Sequence, residues 1–231
     1  MKQPAEKEPA IYSYLRTRPL RLDLLEQDLK EHGYSSEVVT RGALQFLDDC
    51  LDEQFCRDWE NYKTRPVAAE VEREMRSKDL VDVIRLLLSY GLEPNAVYDE
   101  RNVMHSLKYI DNEYLAADAL ALLFEHGGRW DTEVDGTSLF RDIDFDVIFD
   151  AANQEDRRKY DALVHCWFVY LGYGAKTSNG SSVVDTFAEF DVERLKNHRD
   201  FTFALTHTPN KGENWTLHIL ERDTFWEVAR L

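Results

Sequence analysis

The residues able to do chemistry in this chain of 231 are seven histidines, three cysteines and one alternating acidic run. The histidines are His32, His105, His126, His165, His198, His207 and His218. None forms an i, i+4 pair enclosing a glutamate, and no zinc-ligand spacing occurs. Cys50 and Cys56 lie too far apart for a zinc knuckle and lack a second cysteine pair. His165 adjoins Cys166, but neighbours on a helix point about 100° apart, so adjacency alone makes no nucleophile–base couple. Asp142-Ile-Asp144-Phe-Asp146, with Asp150 and an upstream Asp135, superficially follows the alternation of a calcium loop. That loop needs Gly at its sixth position and Glu at its twelfth; counted from Asp142, these are Val147 and Asn153. Gly172-Tyr-Gly174 has neither the third glycine nor the preceding strand of a phosphate loop, and no Gly-x-Ser-x-Gly elbow is present. The sequence therefore predicts no catalytic residue, no cofactor and no metal.

What the pattern does offer is surface for binding. Ile143, Phe145, Val147 and Ile148 interleave the carboxylates, which reads as a solvated acidic edge over an apolar face or, in the sharper reading, as a docking surface for a basic partner. Tyr98 and Trp130 fall in loops after helices, with Arg101 and Arg129 close by. Trp, Tyr and Arg are over-represented among interface anchors. The candidate partner-binding residues are therefore Tyr98, Arg101, Arg129, Trp130, Asp142, Asp144 and Asp146.

Composition bounds the partner. The formal charge of -16 disfavours nucleic acid, a polyanion held by Lys and Arg, and permits fast encounter with a basic protein. An apolar share of 43% and an aromatic share of 12% argue for a folded chain despite that charge. No apolar run is long enough for a membrane helix, and the polar start MKQPAEKEPA predicts no secretory leader. Three sparse cysteines fit a reducing cytoplasm.

These residues must be positioned by helices. Leu22, Leu25 and Leu29 form one stripe that Gly33 stops, and Ser35-Ser36 caps a second helix carrying Val38, Val39, Ala43, Leu44, Phe46, Leu47 and Leu51 to about Cys56 or, with a break, through Trp59 and Tyr62. The N-terminal region thus reads as a helix pair behind a frayed tail. Pro66 opens a third helix to about Arg76. In the next helix, from Asp79 to Tyr90, polar residues fall only at 79, 82, 85 and 89. A helix so apolar must be covered on two sides. Similar helices span Tyr114–His126 and Tyr160–Tyr173, ended by Gly127-Gly128 and Gly174-Ala175 as Gly91 ends the first. A weaker element at Val183–Phe190 is followed by Val192–Lys196. Period-two alternation at Phe201–His207 and Trp215–Leu220 around a turn-rich loop predicts an antiparallel hairpin. Residues 225–231 fit either a third strand or a helix.

The junctions after these helices resemble degenerate ankyrin repeats. Leu87-Leu88-Ser-Tyr-Gly91-Leu-Glu-Pro-Asn95 matches the end of that family's outer helix, and Asn102-Val103-Met104-His105 occupies its Thr-Pro-Leu-His slot with the histidine matched. The second junction runs Leu122-Leu123, Gly127-Gly128, Asp131, Asp135-Gly136 and Thr137-Ser138-Leu139-Phe140; the third runs Gly174-Ala175, Asn179-Gly180 and Ser181-Ser182-Val183-Val184. The resemblance covers about residues 66–190. Gly91 to Gly127 is 36 residues and Gly127 to Gly174 is 47, against about 33 in the family, and no slot holds proline. The resemblance implies a binding scaffold without catalysis, in which His105 has a structural role in the turn.

The expected fold is mostly all-α: stacked helix pairs in an ankyrin-like solenoid with a small C-terminal β-hairpin. Its parts are a disordered tail at 1–9, an N-terminal helical cap at 10–63, the stack at 64–200 and the hairpin cap at 201–231, sharing one core with the stack. The expected function is non-enzymatic protein–protein interaction; the charge serves solubility first and permits a basic partner. One alternative is an acidic immunity-type inhibitor of a basic toxin or nuclease. Another is a regulatory domain holding a small ligand among Phe201, Trp215 and Tyr173.

Overall fold

A computed structural model describes residues 9–16, 19–61, 79–107, 110, 114–138, 157–175, 192–207 and 215–221. These residues are mostly helical, with four short strands. The chain divides into two compact units, Met1–Arg129 and Trp130–Leu231.

The first unit begins with a helix that the apolar pattern read from Leu20 onward leaves out. α1 (Ala10–Arg16) is seven residues long, and its i, i+4 pair Ile11 and Leu15 is fully buried. It packs against α2 (Leu22–His32) and α3 (Ser36–Asn61), so three helices stand where a pair is expected. Gly42 of α3 is the docking point. A Cβ there would lie 3.2 Å from Leu15 Cδ1 and 3.5 Å from Ile11 Cδ1. α2 buries Leu25 and Leu29 as its stripe predicts. α3 opens on Ser35, whose Oγ accepts the Val38 N–H at 3.4 Å, and runs to Asn61 without a break.

The helix expected at 66–76 lies outside the described residues. α4, at residues 79–89, exposes Asp82, Arg85 and Ser89 and half-buries Asp79, following the predicted polar strip. Leu80, Val83, Ile84 and Leu87 are buried, while Val81, Leu86 and Leu88 are partly covered. After it come α5 (Val103–Leu107), which packs on α3, and α6 (Leu115–Glu125), which packs on α5.

The second unit starts with the two-residue strands β1 (Glu133–Val134) and β2 (Thr137–Ser138), paired antiparallel. α7 (Arg157–Gly172) is buried on every side from Ala162 to Gly172. Two 3-10 turns, Val192–Lys196 and His198–Asp200, pack on α7. Contact is close at Gly172, where a Cβ would stand 2.6 Å from the Lys196 amide nitrogen. β3 (Phe201–His207) and β4 (Trp215–Glu221) form the antiparallel C-terminal hairpin, in register from Phe201 opposite Glu221 to His207 opposite Trp215. Phe201 is buried and meets Phe168 of α7 edge-on at 6.1 Å. The elements expected at 183–190 and 225–231 lie outside the described residues.

Candidate functional site

The segment following α4 is where the predicted tip residues Tyr98 and Arg101 sit, and its geometry begins with the way the helix ends. The Leu92 N–H bonds the Leu87 carbonyl at 3.0 Å and the Gly91 N–H bonds that of Leu88 at 3.2 Å. This is a Schellman ending, which requires a left-handed residue; Gly91 supplies it at φ 96°. The same two bonds recur after α6, with Gly128 to Leu123 and Gly127 to Phe124, and after α7, with Ala175 to Tyr170 and Gly174 to Leu171. Gly127 and Gly174 stand at φ 88° and 89°. Three helices therefore stop by one device.

Beyond Gly91 the loop folds into a tight hairpin. Tyr98 and Arg101 exchange backbone hydrogen bonds of 2.9 and 3.0 Å, and Asp99 and Glu100 between them lie at φ 51° and 59°. Two left-handed central residues define a type I′ turn, which normally takes Asn-Gly. Eight residues after Gly127 the pattern repeats. Asp135 and Gly136 have φ 50° and 72° and connect β1 to β2. Alignment on the turns pairs Asn102 with Ser138, one residue later than the motif-based pairing of Asn102 with Thr137.

Asn102 holds the first hairpin to the helix behind it. It is fully buried, and its Nδ2 donates to the carbonyls of Pro94 at 2.8 Å and Ala96 at 2.9 Å. Its Oδ1 accepts the N–H groups of Met104 at 2.9 Å and His105 at 3.4 Å, so Asn102 caps α5. Only one orientation of the amide satisfies both carbonyls and both N–H groups. The link from His105 to this turn thus includes its backbone N–H, received by Asn102. Asn95 works outward. Its Nδ2 donates to the Gly127 carbonyl at 2.8 Å, and its Oδ1 accepts the Arg129 N–H at 2.7 Å. One side chain thereby joins two successive junctions.

α3 clamps the hairpin from the other side. Thr40 Oγ1 accepts the Glu93 N–H at 3.0 Å. Arg41 bonds Glu37 at 3.0 Å and Asp99 at 2.6 Å, and its guanidinium lies 4.7 Å from the centre of the Tyr98 ring. Those two carboxylates raise the Arg41 pKa, Glu37 first. The Tyr98 phenol is pushed up by loss of water and by the carboxylates of Glu93 and Glu37, against the opposing charge of Arg41. Arg101 is ion-paired with Asp48 of α3. Val97, 40% exposed, stands beside the exposed carboxylates of Asp99 and Glu100.

The structure thus brings Tyr98 and Arg101 together on one hairpin fixed to α3. Arg129 is exposed and enters the site through its backbone N–H. Trp130 is half-buried in the turn that opens the second unit. Asp142, Asp144 and Asp146 lie outside the described residues. Glu37, Arg41 and Asp48, which complete the site, carried no motif. Their one sequence signal was helical spacing, which puts all three on the same side of α3.

Other chemistry-capable groups are engaged elsewhere. Asp28, buried on α2, accepts the Tyr34 hydroxyl at 2.9 Å and lies 3.1 Å from His32 Nδ1. In the second unit the buried His165 places Nδ1 3.0 Å from the His198 carbonyl and 3.4 Å from His198 Nδ1. Burial pushes the Cys166 thiol up to about 12. Of the residues named for a ligand pocket, Phe201 packs on Phe168, and Tyr173 lies under Lys196 Nζ at 4.7 Å. Among the described residues no group of three or more His, Cys, Asp or Glu is placed to hold a metal ion, and no helix is long and apolar enough to cross a membrane. No family model matches the chain, and neither a curated protein nor a solved structure matches it.

Proposed function

We propose that the chain is a non-enzymatic protein-binding scaffold of ankyrin-like type, presenting the 97–100 hairpin tip to a basic partner. The observation that carries this reading is the repeated junction. A Schellman glycine is followed eight residues later by a type I′ turn, twice, and Asn95 bonds one junction to the next. Units tied to their neighbours in this way build a solenoid in which each repeat supports the next. The tip is pre-organised by Arg41, Arg101 and Asn102, so a partner binds it without first ordering a loop. The charge of -16 gives the basic partner its attraction and favours, within this class, an inhibitor of the immunity type. Among the described residues, Asp28, His165, His198 and Cys166 are buried in packing or hydrogen bonds, which supports the non-enzymatic half of the reading. Three sparse cysteines in the chain fit a cytoplasmic setting.

The test is capture from a native lysate by the immobilised chain and by its Glu93→Lys/Glu100→Lys variant, at about 0.1 M and about 0.5 M salt. The scaffold reading expects a basic protein that the wild type retains at low salt, with loss on the charge-reversed variant and at high salt. Titration calorimetry with that protein, purified, then reports the affinity directly. Retention indifferent to both salt and substitution, or no retention, overturns the assignment.

A further inference from the structure

No further inference is drawn: the strongest candidate, the surface patch at the tip of the first hairpin (residues 97–100), is a group of carboxylates beside one exposed valine, and nothing in the structure shows what covers it.

Discussion

Replacing Asn102 by alanine removes the four hydrogen bonds of a fully buried side chain. The cap on α5 is worth about 1 kcal/mol. The Pro94 carbonyl, in a buried residue, loses its donor, and so does that of half-buried Ala96, at about 1–3 kcal/mol for each group left unsatisfied. These contributions add to about 3–7 kcal/mol for Asn102→Ala, toward the lower end because Ala96 is only half-buried. Asn102→Asp separates the two roles, because it keeps the Oδ1 acceptor shared by Met104 and His105 but turns an oxygen toward two carbonyl oxygens. Such a carboxyl is held above its unfolded value near 4, since only its protonated form donates. The native state then binds the extra proton, and the variant loses stability as pH rises from that value. Its deficit against wild type is therefore larger at about pH 7 than at about pH 4. Amide hydrogen exchange read on peptides covering residues 91–107 is the suitable assay, because a chain of two units need not unfold in one transition. An alanine variant within about 1 kcal/mol of wild type would refute the cost assigned to the unsatisfied carbonyls. An aspartate variant with the same deficit at both pH values would do the same for the donor role.

Glu100→Gly relieves a non-glycine residue at φ 59° and is expected to stabilise the hairpin by about 0.5–1 kcal/mol after the entropy of glycine is counted. Slower exchange at the Arg101 amide is the readout, and faster exchange would contradict the turn geometry. The Cys166 thiol, moved from 9.0 to about 12 by burial, holds about a thousandfold less thiolate at neutral pH. Native labelling with a disulfide reagent should therefore spare Cys166 until denaturant is added; prompt native modification would show that α7 opens easily. Tyr34→Phe removes the hydroxyl bond to buried Asp28 and should cost about 1–2 kcal/mol. Burial first, and the Asp28 bond second, push the Tyr34 phenol from 10.0 to about 12. Its contribution is present below pH 10 and is lost as pH rises from 10 to 12. Wild type should lose its stability advantage over the variant across that window, and equal alkaline slopes would count against the assigned shift.

The elements that were legible in the sequence carry a strong local signal. The polar strip of α4 could be read because three of its four members, Asp82, Arg85 and Ser89, are the residues that face water. Gly91, Gly127 and Gly174 could be read as terminators because left-handed backbone selects their residue type. The C-terminal hairpin emerged from period two, with β4 one residue longer than the alternation. α1 was hidden because seven residues give too few turns for a periodic signal and only its Ile11–Leu15 pair is buried. The clamp on the first hairpin was hidden for another reason. Arg41 and Asp48 meet Asp99 and Arg101 more than fifty residues along the chain, and nothing local marks a charged residue as one end of such a pair. The same holds for His165 and His198, separated by 33 positions. A turn written Asp99-Glu100 also lacks the glycine that would have announced it.

The uneven spacing of the Schellman glycines has a definite place in the chain. From the Schellman glycine to the residue after the turn and its closing partner is eleven residues in both described junctions, Gly91 to Asn102 and Gly127 to Ser138. From there to the next Schellman glycine is 25 residues in the first case and 36 in the second, Asn102 to Gly127 and Ser138 to Gly174. The extra length thus falls wholly outside the junction, in the stretch that contains Asp142, Asp144 and Asp146. Under the repeat reading this is the division expected of a stacked scaffold. The register of the junction fixes which groups Asn95 meets, the Gly127 carbonyl and the Arg129 N–H of the next junction together. The eleven-residue difference between the two intervals falls in the connecting segments. The 36- and 47-residue intervals are then compatible with one repeated unit, whose constant part is the eleven-residue junction rather than the helix pair.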